Sequence, residues 1–205
     1  MNAFVKSLLA LAVGILSLPA VAAPATLVAS PRVAEIIASR CALCHGPEGD
    51  NSSSIYPRLA AQHPDYIAKQ LKDFRDGRRK GDTMTTMAKD LKDEDIAGLA
   101  VFFASKKAGY RQPADSDLAA VGKYIFMRGN SYSGVGACIS CHGPNGHGTR
   151  QLPRLAGQHP AYLTGQLKEF SERERTNDNA VMHLIAAKLT ELEMRAVAVY
   201  IGGLQ

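Results

Sequence analysis

Apolar positions three and four apart mark one helical face in the first half of the chain, and the second half repeats it. Tyr66, Ile67, Leu71 and Phe74 form the first copy, and Tyr162, Leu163, Leu167 and Phe170 the second. That spacing is what a single buried helical stripe requires. Pro64 and Pro160 stand just ahead, where a first-turn proline loses no hydrogen bond, and Gly77 offers a stop to the first copy. A second helix follows in each half. Asp93-Glu94-Asp95 places acids before Ile96, Leu99, Phe102 and Phe103, while Thr190 and Glu193 make a capping box before Met194, Val197, Tyr200 and Ile201. Two further helices are predicted at Pro31 to Arg40 and Asp117 to Arg128, and no useful strand-like alternation appears. The pattern predicts an all-α chain built twice.

The 205 residues divide accordingly. Lys6, the apolar run Ser7 to Leu18 and the small residues Ala20 and Ala22 around Val21 read as a signal peptide over 1–22. The run is shorter than the ~20 apolar residues a bilayer helix needs. Lys106 to Ser116, with Gly109 and Pro113, reads as a linker, which predicts domains at 23–105 and 117–205 joined by 106–116. Domains this small have thin cores unless they bury something besides side chains. The second copy alone inserts the Gly- and Ser-rich segment Gly129 to Gly136.

Charge narrows the partners only slightly. The chain carries a formal +5, of which Lys6 belongs to the leader, and the two halves are evenly balanced. The local run Arg75 to Lys80 reads equally well as a solvated helix end or as a docking patch.

All four cysteines lie in Cys41-Ala42-Leu43-Cys44-His45 and Cys138-Ile139-Ser140-Cys141-His142. A redox dithiol would expect a βαβ context, a structural zinc site has no need of the adjacent histidine, and a disulfide within such a pair closes a small, awkward loop. Haem attachment explains every position: two thiols add to the two vinyl groups of one porphyrin, and the next imidazole lies under its iron. Two motifs predict two covalently bound haems. With two propionates on each haem the loaded protein is near neutral to weakly positive, which argues against a nucleic-acid binder needing a strongly basic face.

After each motif the chain restates Pro57-Arg58-Leu59-Ala60-Ala61-Gln62-His63-Pro64 as Pro153-Arg154-Leu155-Ala156-Gly157-Gln158-His159-Pro160. Pro57 and Pro153 are placed to accept the proximal imidazole N–H through their carbonyls. The repeat also selects the sixth ligands, because Met84 and Met182 each stand seven residues before an equivalent leucine, Leu91 or Leu189. Met87 matches Ile185 and reads as packing; Met127 and Met194 fall on helix patterns. His183 matches Thr85, His147 has no matching histidine, and His63 and His159 read as capping or hydrogen-bonding groups. A thioether opposite imidazole raises the potential and fills the iron's coordination sphere, which favours electron transfer over substrate activation.

Together these residues resemble class I cytochrome c domains, and two in tandem behind a signal peptide resemble the dihaem cytochrome c4 family, over about residues 31–204. The resemblance implies two tandem cytochrome c-like domains, each wrapped around one haem, attached by Cys41 and Cys44 or Cys138 and Cys141. It implies axial pairs His45 with Met84 and His142 with Met182. It also implies a periplasmic carrier, soluble or loosely membrane-attached and expected as a monomer, passing single electrons from a cytochrome bc complex to a terminal oxidase. In that family a helix-packing glycine is expected in the first helix of each domain; Gly122 supplies it in the second, while Ala34 stands there in the first. The competing reading is a haem enzyme, peroxidase-like or thiosulfate-oxidising, or a fixed cytochrome subunit, with one accessible iron.

Overall fold

The computed structural model describes residues 29–109, 112 and 115–205. The leader expected at 1–22 and part of the linker lie outside them. Ten α-helices and one π-helical turn are found among the described residues, and the only strand-like pairing is an isolated antiparallel bridge between Asn130 and Val135. No helix among them is long and apolar enough to cross a membrane.

The first half comprises α1 (Pro31–Ile36), α2 (Ala42–His45), α3 (Pro64–Arg75), α4 (Asp82–Ala88) and α5 (Asp93–Ala104). Ser30 caps α1 by accepting from the Val33 N–H, with Pro31 at the first helical position. The chain then runs through a π-helical turn, Ile37–Cys41, directly into α2. The second half comprises α6 (Ser116–Arg128), α7 (Ile139–His142), α8 (Pro160–Ser171), α9 (Val181–Ala186) and α10 (Glu191–Gly202). Here α6 stops at Gly129, whose positive φ of 71° permits a sharp exit. The inserted segment then folds as a short hairpin-like turn that buries Val135 against Ile125, Leu189 and Met194. Lys188 and Asn130 pin it, donating to the Gly134 carbonyl (3.1 Å) and to Glu193 (2.7 Å). The two halves therefore reach the same pentapeptide by different routes.

The cores are separate. Ile36, Ile67, Phe74, Leu91, Ile96, Leu99 and Phe103 form one apolar cluster in the first half. In the second, Phe126, Leu163, Val197 and Ile201 form one cluster, and Ile125, Val135, Leu189 and Met194 another. The terminal helices cross at glycine in both halves, but on opposite partners. A Cβ on Gly122 of α6 would stand 1.9 Å from the Ala196 carbonyl oxygen of α10, whereas in the first half Gly98 of α5 gives way to Val33 of α1. Ala34 is exposed, so the expected position for a packing residue in α1 is corrected: the close approach is made at Val33, and the small residue sits across from it.

Between the halves runs a polar seam with approximate two-fold symmetry. The buried Gln62 side chain accepts from the Arg154 N–H (2.8 Å) and donates to the Arg154 carbonyl (2.8 Å). The buried Gln158 does the same with Arg58 (2.9 Å each way). His63 donates to the carbonyl of His147 (2.7 Å), and His159 reaches the carbonyl of Asn51 (3.2 Å). These histidines do hydrogen-bond, as the sequence suggests, but across the seam and not at their own helix ends. Further along, Arg79 donates to Tyr162 and Gln166, and Arg175 to Tyr66 and Gln70. Burial pushes the Tyr66 phenol up, and the facing Arg175 and Arg79 guanidinium groups more than offset it, so its net direction is downward. The run Arg75 to Lys80 is thus largely solvated, its Asp76, Gly77, Arg78 and Lys80 exposed, with Arg79 the buried exception. Arg75 pairs with Asp76 and Asp93, Arg78 with Asp73 and Asp76, and Arg79 is buried in the seam.

Candidate haem sites

Each pentapeptide closes on a helical turn that ends in its histidine, and both histidines are buried. Gly46 and Gly143, each at φ 77°, then turn the chain away. The carbonyl of Pro57 takes the Nδ1–H of His45 at 2.8 Å, and that of Pro153 faces His142 Nδ1 at 3.3 Å. A carbonyl can only accept, so this contact fixes the proton on Nδ1 and leaves Nε2 as the lone-pair donor for a metal. Burial lowers the affinity of both imidazoles for a second proton, with the proline carbonyls partly opposing it. Both rings are therefore held neutral, the form that ligates.

The four cysteines are unpaired thiols. Burial would push the Cys41 and Cys138 thiols, before attachment, up to about 11. Cys44 lies beside Tyr56, whose phenol is pushed up by a hydrogen bond with that sulfur. Tyr56 also stands edge-on to His45, with ring centroids 6.3 Å apart. The matching position in the second half is Leu152, so the two motifs differ in their immediate neighbours.

The donor set fits a covalently held haem: two free thiols three residues apart, and a neutral imidazole whose Nδ1 is already occupied. A buried polar atom adds to the fit. Arg58 pairs with Asp50 (Nε to Oδ1, 2.9 Å), but its counterpart Arg154 keeps a buried Nε that has no hydrogen-bond partner among the described residues. A haem carboxylate would satisfy such a group.

Met84 lies on α4, half-buried and packed against the first core. Met182 lies on α9, also half-buried, but outside the residues packed on either second-half cluster. Asp178 instead fixes the start of α9, accepting from the Met182 N–H at 2.6 Å and from the His183 N–H at 3.3 Å. His183 turns its Nδ1 to the Phe170 carbonyl (2.9 Å), and His147 its Nε2 to the Gln205 carbonyl (2.6 Å). The sequence reading missed Asp178 and Tyr56. Asp178 carried the cue of an acid four residues before the repeated methionine; Tyr56, with leucine as its counterpart, carried none.

A cytochrome c family model matches residues 119–205, and one for subunit III of cbb3-type cytochrome c oxidase matches residues 29–103. Cytochrome c4 of Thiocapsa roseopersicina is 41% identical over 189 residues, covering 89% of this chain and 96% of that protein. The chain belongs to the cytochrome c4 family. The structure of reduced recombinant cytochrome c4 from Pseudomonas stutzeri superposes with a TM-score of 0.80 at 36% identity, over 87% of this chain and all of that one. As a cytochrome c4 relative the chain is an electron-transfer protein with two covalently bound haem c groups, its fold all-α with two cytochrome c domains. It is also similar to the thiosulfate dehydrogenase electron acceptor of Thiomonas intermedia, 35% identical over 207 residues, covering 98% of this chain and 94% of that protein.

Proposed function

We propose that this member of the cytochrome c4 family is a periplasmic monomer that relays single electrons from a cytochrome bc complex to a terminal oxidase, with both irons fully ligated. Cys41, Cys44 and His45 hold one haem and Met84 completes it; Cys138, Cys141 and His142 hold the other and Met182 completes it. The domains run 23–105 and 117–205, and a leader over 1–22 directs export. When bound, each haem supplies one-electron iron chemistry without a substrate site. Burial favours the neutral form of both proximal imidazoles, the Pro57 and Pro153 carbonyls orient them, and each half presents a half-buried thioether at the repeated position. The carrying observation is this duplication. An enzyme would set one distal position apart, whereas Met84 and Met182 correspond.

The experiment is reduction of the purified protein by a quinol-oxidising bc complex, followed by reoxidation by a terminal oxidase. Both haems should cycle, and neither peroxide nor thiosulfate alone should turn over. Turnover of either substrate by the isolated protein would make it an enzyme. A second reading rests on the Thiomonas intermedia relative: the same carrier takes its electrons from a thiosulfate-oxidising enzyme. Rapid reduction by thiosulfate only when such an enzyme is added would select that donor.

A further inference from the structure

Both methionine segments reach across the seam, through Arg79 to Tyr162 and Gln166 and through Arg175 to Tyr66 and Gln70, but among the described residues only the segment that delivers Met182 adds a second hold, at Asn177. Asn177 stands five residues before Met182. Its side-chain amide donates to Gln70 (3.0 Å) and Asp73 (2.6 Å) of α3, and its carbonyl accepts from Lys69 of α3 at 2.8 Å. Asp73 is itself fixed by Lys69 and Arg78. The next residue, Asp178, accepts from the backbone of Ala180, Met182 and His183. A short chain of hydrogen bonds therefore connects the first domain's α3 with the Met182 backbone.

The repeat makes the asymmetry readable. Lys69 corresponds to Gly165, which has no side chain to reach with, and Asp73 to Glu169, which accepts from Gln166 of its own helix. The second-half segment also turns through Arg173, Asn179 and Ala180 at φ 60°, 54° and 65°, where the first half uses Gly77 and Gly81. Non-glycine residues hold such a conformation only when their surroundings impose it. Met84 needs no such hold, because it packs on its own core.

We infer that Lys69, Gln70 and Asp73 of the first domain are positioning residues for the second domain's sixth ligand, keeping Met182 on its iron through Asn177 and Asp178. The inference rests on the reading of Met182 as that ligand. Its consequence is one-way: loosening the Asn177 contacts frees the carboxy-terminal iron and leaves the amino-terminal one closed.

The test is imidazole titration of the oxidised, haem-loaded protein, following the far-red band of methionine-bound ferric haem. In a Met84→Ala background the band reports Met182 alone, and in a Met182→Ala background Met84 alone. Asn177→Ala should raise the apparent imidazole affinity of the Met182 site about tenfold, the effect of losing one to two hydrogen bonds, and leave the Met84 site unchanged. Lys69→Met, on a different element, should act in the same direction. Equal affinities with and without both changes at the Met182 site overturn the inference, as does an equal rise at both sites, which would mean general loosening. If the Met84→Ala protein shows no far-red band, the ligand reading itself fails, and the clamp falls with it.

Discussion

The two halves share a sequence repeat, yet they hold the segments that carry Met84 and Met182, the proposed sixth ligands, by partly different physics. In the first, Met84 sits on a short helix packed against one continuous apolar cluster. In the second, the apolar residues split into two clusters, one organised around the inserted turn, and Met182 is placed by an acidic cap and by polar contacts from the neighbouring domain. Apolar packing is local and non-directional; a hydrogen-bonded cap works only while every partner is in place. Duplication has preserved the methionine position and the arginine contacts across the seam while changing the rest of the support.

Removing each proposed ligand in turn gives the largest effect. Met182→Ala should lower the potential of the carboxy-terminal haem by on the order of 100 mV, and Met84→Ala the amino-terminal one, each without its partner. A redox titration resolves the two, and a change at the wrong haem would reassign the ligands. Core truncation comes next. Phe103→Ala and Phe126→Ala each remove a fully buried ring and should cost about 3–5 kcal/mol. Denaturant unfolding should show the loss confined to the half that carries the change, since the cores do not merge.

The glycine crossings are a finer probe. Gly122→Ala drives a Cβ into a backbone carbonyl, whereas Gly98→Ala meets a Val33 methyl at 2.5 Å that can rotate away. Overpacking of this kind costs about 1–3 kcal/mol, and thermal melts should place Gly122→Ala at the upper end. The smallest effect concerns acid. Burial alone would raise the Asp73 carboxyl, but hydrogen bonds from Lys69, Arg78 and Asn177 outweigh it and leave the group below its ordinary value. A depressed carboxyl contributes stability above its unfolded pKa and loses it as pH falls through the folded one. Asp73→Asn should therefore lower stability at neutral pH and flatten the acid limb of the melting curve.

Much of this was legible in the repeat. The helices α3, α5, α8 and α10 follow from their apolar spacing, Thr190 and Glu193 form the capping box, and the proline carbonyls stand against the proximal histidines. The seam was not. Gln62 and Gln158 look like surface amides in sequence, because burial of a glutamine depends on a partner backbone that periodicity cannot reveal. The π-helical turn before Cys41 escaped for a similar reason: a single wider turn does not disturb apolar spacing over so short a helix. The support of Met182 was hidden because its grip comes from α3, over a hundred residues earlier in the chain.

The account depends most on both irons being closed by methionine. Carbon monoxide exposure of the fully reduced protein, with the far-red band quantified in the oxidised state, tests this directly. The account predicts band intensity equivalent to two methionine-ligated haems and no carbon monoxide adduct at either. Intensity for one haem, together with one haem that binds carbon monoxide readily, would contradict it.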